Sequence, residues 1–178
     1  MSETLTLDLA GIVRESIVDG PGIRFVVFCQ GCPHNCEGCH NPATHEFGAG
    51  KETSVERILA EIDKDPLLDG VTLSGGEPFC QPVPMAAIAK GVKERGKNVL
   101  AFTGFTYEEL VKKAQSGDGT QELLDLCDYI VDGRFVLAER DLSLRFRGSR
   151  NQRILDVPAS LAAGKAVEIA SGRWQGEY

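Results

Sequence analysis

A chain of 178 residues, 42% hydrophobic and 25% charged, is long enough for one domain that buries roughly 70% of the surface its unfolded form would expose. Its formal charge of −7 argues against nucleic acid as a partner, because that partner needs a basic face to displace counterions from phosphate. Met1-Ser2-Glu3-Thr4 carries no basic leader and no apolar run approaches about eighteen residues, so the expectation is a single cytoplasmic domain over residues 1–178 with no membrane span.

In chain order, Leu5, Leu7 and Leu9 alternate with Thr4, Thr6 and Asp8, the period of a half-buried strand. The turn Asp19-Gly20-Pro21-Gly22 leads into an apolar strand over Arg24 to Cys29. Thr53 followed by Glu56 reads as a capping box for a helix through Val55, Ile58, Leu59 and Ile62 that stops near Asp65-Pro66. Gly70 to Ser74 is a short strand running into Gly75-Gly76-Glu77-Pro78. A helix through Met85, Ile88, Ala89 and Val92 ends at Gly96, and a strand follows over Asn98 to Thr103. Tyr107 to Ala114 and Gln121 to Asp128 read as helical pieces, and Tyr129 to Val131 as a strand.

Strands alternating with helices imply parallel βαβ units. Four or five such strands are too few for a closed eight-stranded barrel, so the fold class expected is α/β, a partial (βα) barrel or an open parallel sheet. From Phe135 onward the helical period is lost, and the tail after Pro158 is weakly patterned.

Four of the six cysteines, Cys29, Cys32, Cys36 and Cys39, fall within eleven residues. In a reducing compartment such a cluster reads as metal ligands sooner than as disulfides. Cys32-x3-Cys36-x2-Cys39 offers three thiolates to one centre, and a four-iron cubane normally takes four, so one iron would stay open to a small molecule. Two alternatives remain: Cys29 as a fourth ligand in a non-catalytic iron-sulfur module, or two Cys-x2-Cys pairs around zinc, although zinc pairs are usually farther apart in sequence. Cys29 lies in the apolar strand and is assigned to the core or to the ligands' surroundings; Cys80 and Cys127 read as buried apolar residues.

Ligands in α/β proteins bind in loops at the carboxyl ends of parallel strands. The cysteine loop, Gly75-Gly76-Glu77 and Asp132-Gly133-Arg134 all follow strands in this way and should open on one rim. The two glycines let backbone approach a ligand closely, and Glu77 offers a carboxylate to an ammonium group. His40, beside Cys39, is placed to touch whatever binds the open iron. Arg145, Arg147, Arg150 and Arg153 are either a solvated face, a docking surface or a grip on a carboxylate or phosphate.

On these motifs the chain resembles the radical S-adenosylmethionine enzymes, and within them the activating proteins of glycyl-radical enzymes. Cys32, Cys36 and Cys39 match the cluster motif, Gly75-Gly76-Glu77 the methionine-binding motif, and Asp19 to Arg24 the segment that activators carry before the cluster. Asp132-Gly133-Arg134-Phe135 and Arg147 to Arg153 look most like activators of the anaerobic ribonucleoside-triphosphate reductase.

The resemblance implies a [4Fe-4S] cluster held by Cys32, Cys36 and Cys39, with S-adenosyl-L-methionine contacted by Gly38, Cys39, His40, Gly75, Gly76, Glu77 and Asp132. It implies reductive cleavage to a 5'-deoxyadenosyl radical, which takes hydrogen from a glycine of the partner. That partner would be the large subunit of the anaerobic reductase, another glycyl-radical enzyme or, in a related reading, a free metabolite. A small electron-donor protein is implied too, and no side chain is assigned as acid, base or nucleophile. Many relatives have an aromatic residue before the third cysteine; Gly38 stands there instead, and His40 is the candidate to meet the adenine.

Overall fold

The structure, a computed structural model, describes residues 4–174. Met1 to Glu3 and the last four residues, on which part of the leader and tail readings fall, lie outside the described residues. Seven strands form one open sheet: β1 (Thr6–Ser16), β2 (Arg24–Cys29), β3 (Lys51–Ser54), β4 (Gly70–Gly75), β5 (Asn98–Phe102), β6 (Tyr129–Asp132) and β7 (Arg153–Asp156), in the order β3-β1-β2-β4-β5-β6-β7. The four central strands, β2, β4, β5 and β6, run parallel, and β1, β3 and β7 add antiparallel flanks. The parallel strands are almost wholly buried, which is why they read as continuous apolar runs while β1 alternates.

Five helices connect them: α1 (Val55–Asp63), α2 (Pro82–Glu94), α3 (Tyr107–Ala114), α4 (Thr120–Leu126) and α5 (Val157–Ala163). Their apolar residues, among them Ile58, Ile62, Met85, Ile88, Leu110, Leu123 and Val157, join Phe25, Val27, Leu73, Val99 and Ile130 of the sheet in one core. A second, smaller cluster of Leu100, Val131, Ile154 and Trp174, with Phe102, Tyr129 and Phe146 against it, joins strand residues to the C-terminal segment.

The sequence reading holds for the parallel strands and for α3, whose capping box is Thr106 with Glu109. Three differences stand out. Thr53 and Glu56 do not form the cap of α1; Ser54 does, accepting from the Arg57 N–H, because Thr53 is in β3. β3 and β7 were not foreseen, being four-residue edge strands that follow β1 and β6 in register rather than by any apolar run of their own. α5 begins at Val157 and runs into the weakly patterned tail; Asp156 caps it by accepting from the Ala159 N–H, Pro158 sits in its first turn and Gly164 closes it in the left-handed region. None of the helices among the described residues is long and apolar enough to cross a membrane.

The register positions the site. Phe28 pairs with Ser74 and Cys29 with Gly75, so β2 and β4 end level and the two loops that leave them start side by side.

Candidate iron-sulfur and ligand site

The cysteine loop is folded back on the end of β2. Gln30 Nε2 donates to the carbonyls of Ala43 and Glu46 at 3.0 and 2.8 Å, the Gly31 N–H reaches the Thr44 carbonyl at 2.7 Å, and the Cys32 N–H the His45 carbonyl at 3.1 Å. Asn35, at φ 50°, turns the chain between Cys32 and Cys36, a conformation that asparagine tolerates better than most residues. Cys32, Cys36 and Cys39 are half-buried free thiols, whereas Cys29 and Cys127 are buried. Burial pushes the Cys29 thiol well above the ordinary range and Cys80 up to about 11. Cys29 belongs to the apolar core and does not line the cavity into which the other three open.

The diglycine turn is joined to this loop by two backbone bonds, and behind them by the side-chain contact of Glu77 with His34. The Gly76 N–H donates to the Cys29 carbonyl and the Glu77 N–H to the Gly31 carbonyl, both at 2.8 Å. Gly75 has φ +99°, and a Cβ there would stand 2.4 Å from the Cys29 nitrogen; one on Gly76 would stand 2.3 Å from the Gly31 carbonyl oxygen. No other residue fits either place, because the obstacle is backbone. A cavity of about 130 Å³ results, lined by Cys32, Cys36 and Cys39 and by Ser74, Gly75 and Gly76.

Beside it lies a larger chamber of about 560 Å³, bounded by Val18, Asp19, His40, Phe146 and Arg147. Cys39, Ser74, Phe102, Phe135 and Gln152 line both spaces. Phe135, to which the sequence assigns no role, packs beside Gly38, where the motif's aromatic is missing. A Cβ on Gly38 would stand 3.3 Å from the Phe135 ring and 2.9 Å from Leu137, and His40 meets Phe135 edge-on with ring centres 5.5 Å apart. Gln152 was also missed. Its Oε1 accepts from the Gly148 and Ser149 N–H groups and its Nε2 donates to the Gly133 carbonyl, so it ties the chamber's outer wall to the sheet rim.

Asp19 opens on the chamber, its loop held from below by Thr72 Oγ1, which donates to the Asp19 carbonyl at 2.8 Å. The buried Arg24 in turn donates to Thr72 Oγ1, the Pro21 carbonyl and the Val71 carbonyl, and burial draws its pKa down to about 10.

Two residues assigned to the ligand sit elsewhere. Asp132 is 1% exposed and accepts from the Tyr107 N–H and from Arg153 Nε and Nη2; it lines neither cavity. Glu77 is fully buried and also lines neither, its oxygens taken by His34, Phe79, Thr103 and Gly104. The arginines divide: Arg153 pairs with Asp132 and Glu108, Arg150 with Asp141, and Arg147 faces the chamber with its Nε unpartnered and Nη1 on the Gln152 carbonyl.

The donor set fits a cluster. Three thiols line one cavity, and Gly75 and Gly76, which line it too, put no side chain into it. Among the described residues no three His, Cys, Asp or Glu side chains converge on a single ion position, and in an iron-sulfur cubane they need not, since the thiolates are shared out over the cluster.

Comparison with known proteins agrees with this donor set. Residues 18–155 match the family model of the 4Fe-4S single cluster domain. An anaerobic ribonucleoside-triphosphate reductase-activating protein of Vibrio cholerae is 35% identical over 146 residues, covering 76% of this chain and 89% of the relative. That of Escherichia coli K12 is 34% identical over 145 residues, covering 76% and 90%. A pyruvate formate-lyase-activating enzyme of Clostridium pasteurianum is 44% identical over 105 residues, covering 54% of this chain and 44% of its own. The crystal structure of QueE from Escherichia coli superposes on 57% of this chain and 53% of its own at TM-score 0.46 and 18% identity, too loose a likeness to bear on function.

Proposed function

Since the chain belongs to the 4Fe-4S single cluster domain family and to the family of anaerobic ribonucleoside-triphosphate reductase-activating proteins, we propose that it is a radical S-adenosylmethionine enzyme that installs a glycyl radical on an anaerobic ribonucleoside-triphosphate reductase. The observation that carries this reading is the shared cavity: three thiols and both glycines of the Gly-Gly-Glu turn face one space, which opens on a chamber large enough for a nucleoside-sized ligand. When bound, the cluster supplies the electron that cleaves the sulfonium C–S bond of S-adenosylmethionine, giving methionine and the 5'-deoxyadenosyl radical that takes hydrogen from the partner's glycine.

Cys32, Cys36 and Cys39 are the residues that hold the cluster. Gly75 and Gly76 would meet the methionyl end of the ligand, since neither puts a side chain into the cavity they line. Arg147 is the residue for its carboxylate, being the cation that lines the chamber and having the fork that carboxylates match. His40, Phe102 and Phe135 offer ring surface to the adenine. Asp132 and Glu77 act from behind the wall. Val18 and Leu142, 64% and 71% exposed, stand at the chamber's edge where the partner's glycine segment enters. Apolar walls such as Phe102, Phe135, Leu144 and Phe146 keep water from the reacting atoms. A small electron-donor protein completes the scheme.

Anaerobic reconstitution with iron and sulfide, reduction, and assay of 5'-deoxyadenosine test the reading, followed by electron paramagnetic resonance of the partner for a glycyl radical. No cleavage by an intact, reduced cluster would overturn it. The 44% identity to a pyruvate formate-lyase-activating enzyme supports a second reading, a different glycyl-radical partner; it is favoured if the radical forms on such an enzyme and not on the reductase.

A further inference from the structure

The Glu77 carboxylate has no capacity left for a ligand. Oε1 accepts from His34 Nε2 at 2.7 Å, from the Gly104 N–H at 2.7 Å and from Thr103 Oγ1 at 2.9 Å. Oε2 accepts from the Phe79 N–H at 3.0 Å and shares the Thr103 hydroxyl at 2.9 Å. A carboxylate presents about four lone-pair sites, and four separate donors occupy them in a place closed to solvent.

His34 is the donor with a consequence for the cluster, because it is the middle of the Cys32-x3-Cys36 arc. Its side chain is 4% exposed and its ring stands edge-on to Phe105 with centres 4.6 Å apart. A Cβ on residue 104 would come within 2.4 Å of the His34 Cδ2, so glycine at 104 is what lets the ring through to the carboxylate. One buried anion thereby joins the cysteine loop to the loop after β5 and to the start of the Pro78 turn.

We infer that Glu77 and His34 are positioning residues: the Gly-Gly-Glu carboxylate latches the cysteine arc through His34, and so sets the spacing of the cluster thiolates, in place of binding the ligand's ammonium group. The inference rests on the reading that Cys32, Cys36 and Cys39 hold the cluster. Groups bonded directly to metal ligands typically change metal affinity by about 10- to 100-fold when lost, and a latch that acts on the ligands through the loop backbone should fall at the lower end.

The test uses the cluster-loaded full chain with H34F, which keeps a ring against Phe105 but no donor, and H34Q, which keeps a donor. We expect H34F to lose iron to a chelator about tenfold faster than wild type with an altered resonance line shape of the reduced cluster, and H34Q to restore both. E77Q should speed iron loss in the same way, and the H34F/E77Q pair should add little beyond either change, as for two ends of one contact. S-adenosylmethionine affinity of the cluster-bearing fraction should hold to within about threefold throughout.

Unchanged iron loss and line shape in H34F overturn the latch. So does an E77Q protein that keeps its iron but binds S-adenosylmethionine more weakly, which would return Glu77 to the ligand. If E77Q does not accumulate, H34F against H34Q decides alone. A wild-type chain that takes up no four-iron cluster sinks the reading of the site itself; a loaded wild type with an equally stable H34F sinks only the latch.

Discussion

On the cluster side of the chamber, backbone meets backbone: the Gly76 and Glu77 N–H groups bond the first residues of the cysteine loop, and two positions have no room for a Cβ. On the far side, residues 133–152 contain one short 3-10 turn and little other regular structure. A few backbone bonds, such as the Arg150 N–H to the Glu139 carbonyl, are joined there by side chains, through Gln152 to Gly133, Asn151 to the Arg134 carbonyl, and the Arg150–Asp141 and Arg134–Glu109 pairs. Phe146 there even adopts φ 58° against Trp174. Gly75 and Gly76 have no tolerance for added atoms because a Cβ there would meet main chain, whereas the far wall should accept substitution but respond to charge. The division suits a site that holds a cluster on one side and admits an exchangeable ligand on the other.

The largest effect expected separates the cysteines. Replacing Cys32, Cys36 or Cys39 singly by alanine should remove the four-iron cluster and all 5'-deoxyadenosine formation. Cys29→Ala should leave iron and sulfide content intact while costing about 1 kcal/mol of stability, the usual scale for trimming a small buried side chain. Loss of iron in the Cys29 variant would mean a closed, four-thiolate centre.

Gly76→Ala comes next. A methyl 2.3 Å from the Gly31 carbonyl oxygen forces the two loops apart, at about 1–3 kcal/mol for overpacking, and iron retention should fall with it. Gly11, where a Cβ meets nothing within 4 Å, is the control on the same sheet, and its change to alanine should stay within about 0.5 kcal/mol. Equal melting temperatures for the two variants would mean that the cluster wall does yield to an added methyl.

On the far wall, Arg147→Gln should leave the cluster in place and weaken S-adenosylmethionine binding by roughly tenfold or more, the scale of one charged hydrogen bond. Phe135→Leu should cost less, about three- to tenfold, as for one aromatic contact. Equilibrium dialysis on cluster-loaded protein reads both. A decarboxylated analogue should bind wild type and the Arg147 variant alike; if it does not, Arg147 serves packing or docking and the carboxylate is held elsewhere.

The cluster wall was legible because its chemistry is local in sequence: the cysteine spacing and the Gly-Gly-Glu turn each lie within one loop, and apolar runs mark the parallel strands that deliver them. The far wall was not, since no period identifies residues that meet only through long-range pairing. Phe135 looks like any apolar residue after a turn until Gly38 is seen against it, and β7 is a strand only because β6 offers it an edge. Asp132 and Glu77 show the converse. Each stands in the right segment, at the end of the right strand, yet it turns into the protein to collect donors from neighbouring loops, and one-dimensional spacing does not record which way a side chain turns.

The smallest effect probes the far wall's dependence on charge. The Arg134 guanidinium, bonded to both Glu109 oxygens at 2.9 and 3.0 Å, holds the Glu109 carboxyl down from 4.5 to about 2. A carboxyl depressed on folding stabilises the native state above its unfolded value, and the contribution is lost as pH falls from about 4.5 toward 2. Both side chains are more than two-fifths exposed, so the gain is a few tenths of a kcal/mol at most and is screened by salt. Glu109→Gln isolates the charge, because glutamine still caps α3 by accepting from the Thr106 N–H as Glu109 does. The variant should therefore melt slightly below wild type at pH 6, with the gap narrowing in high salt and closing near pH 2. A gap that persists at pH 2 would mean that packing at this corner, and not its ion pair, fastens residues 133–152 to α3.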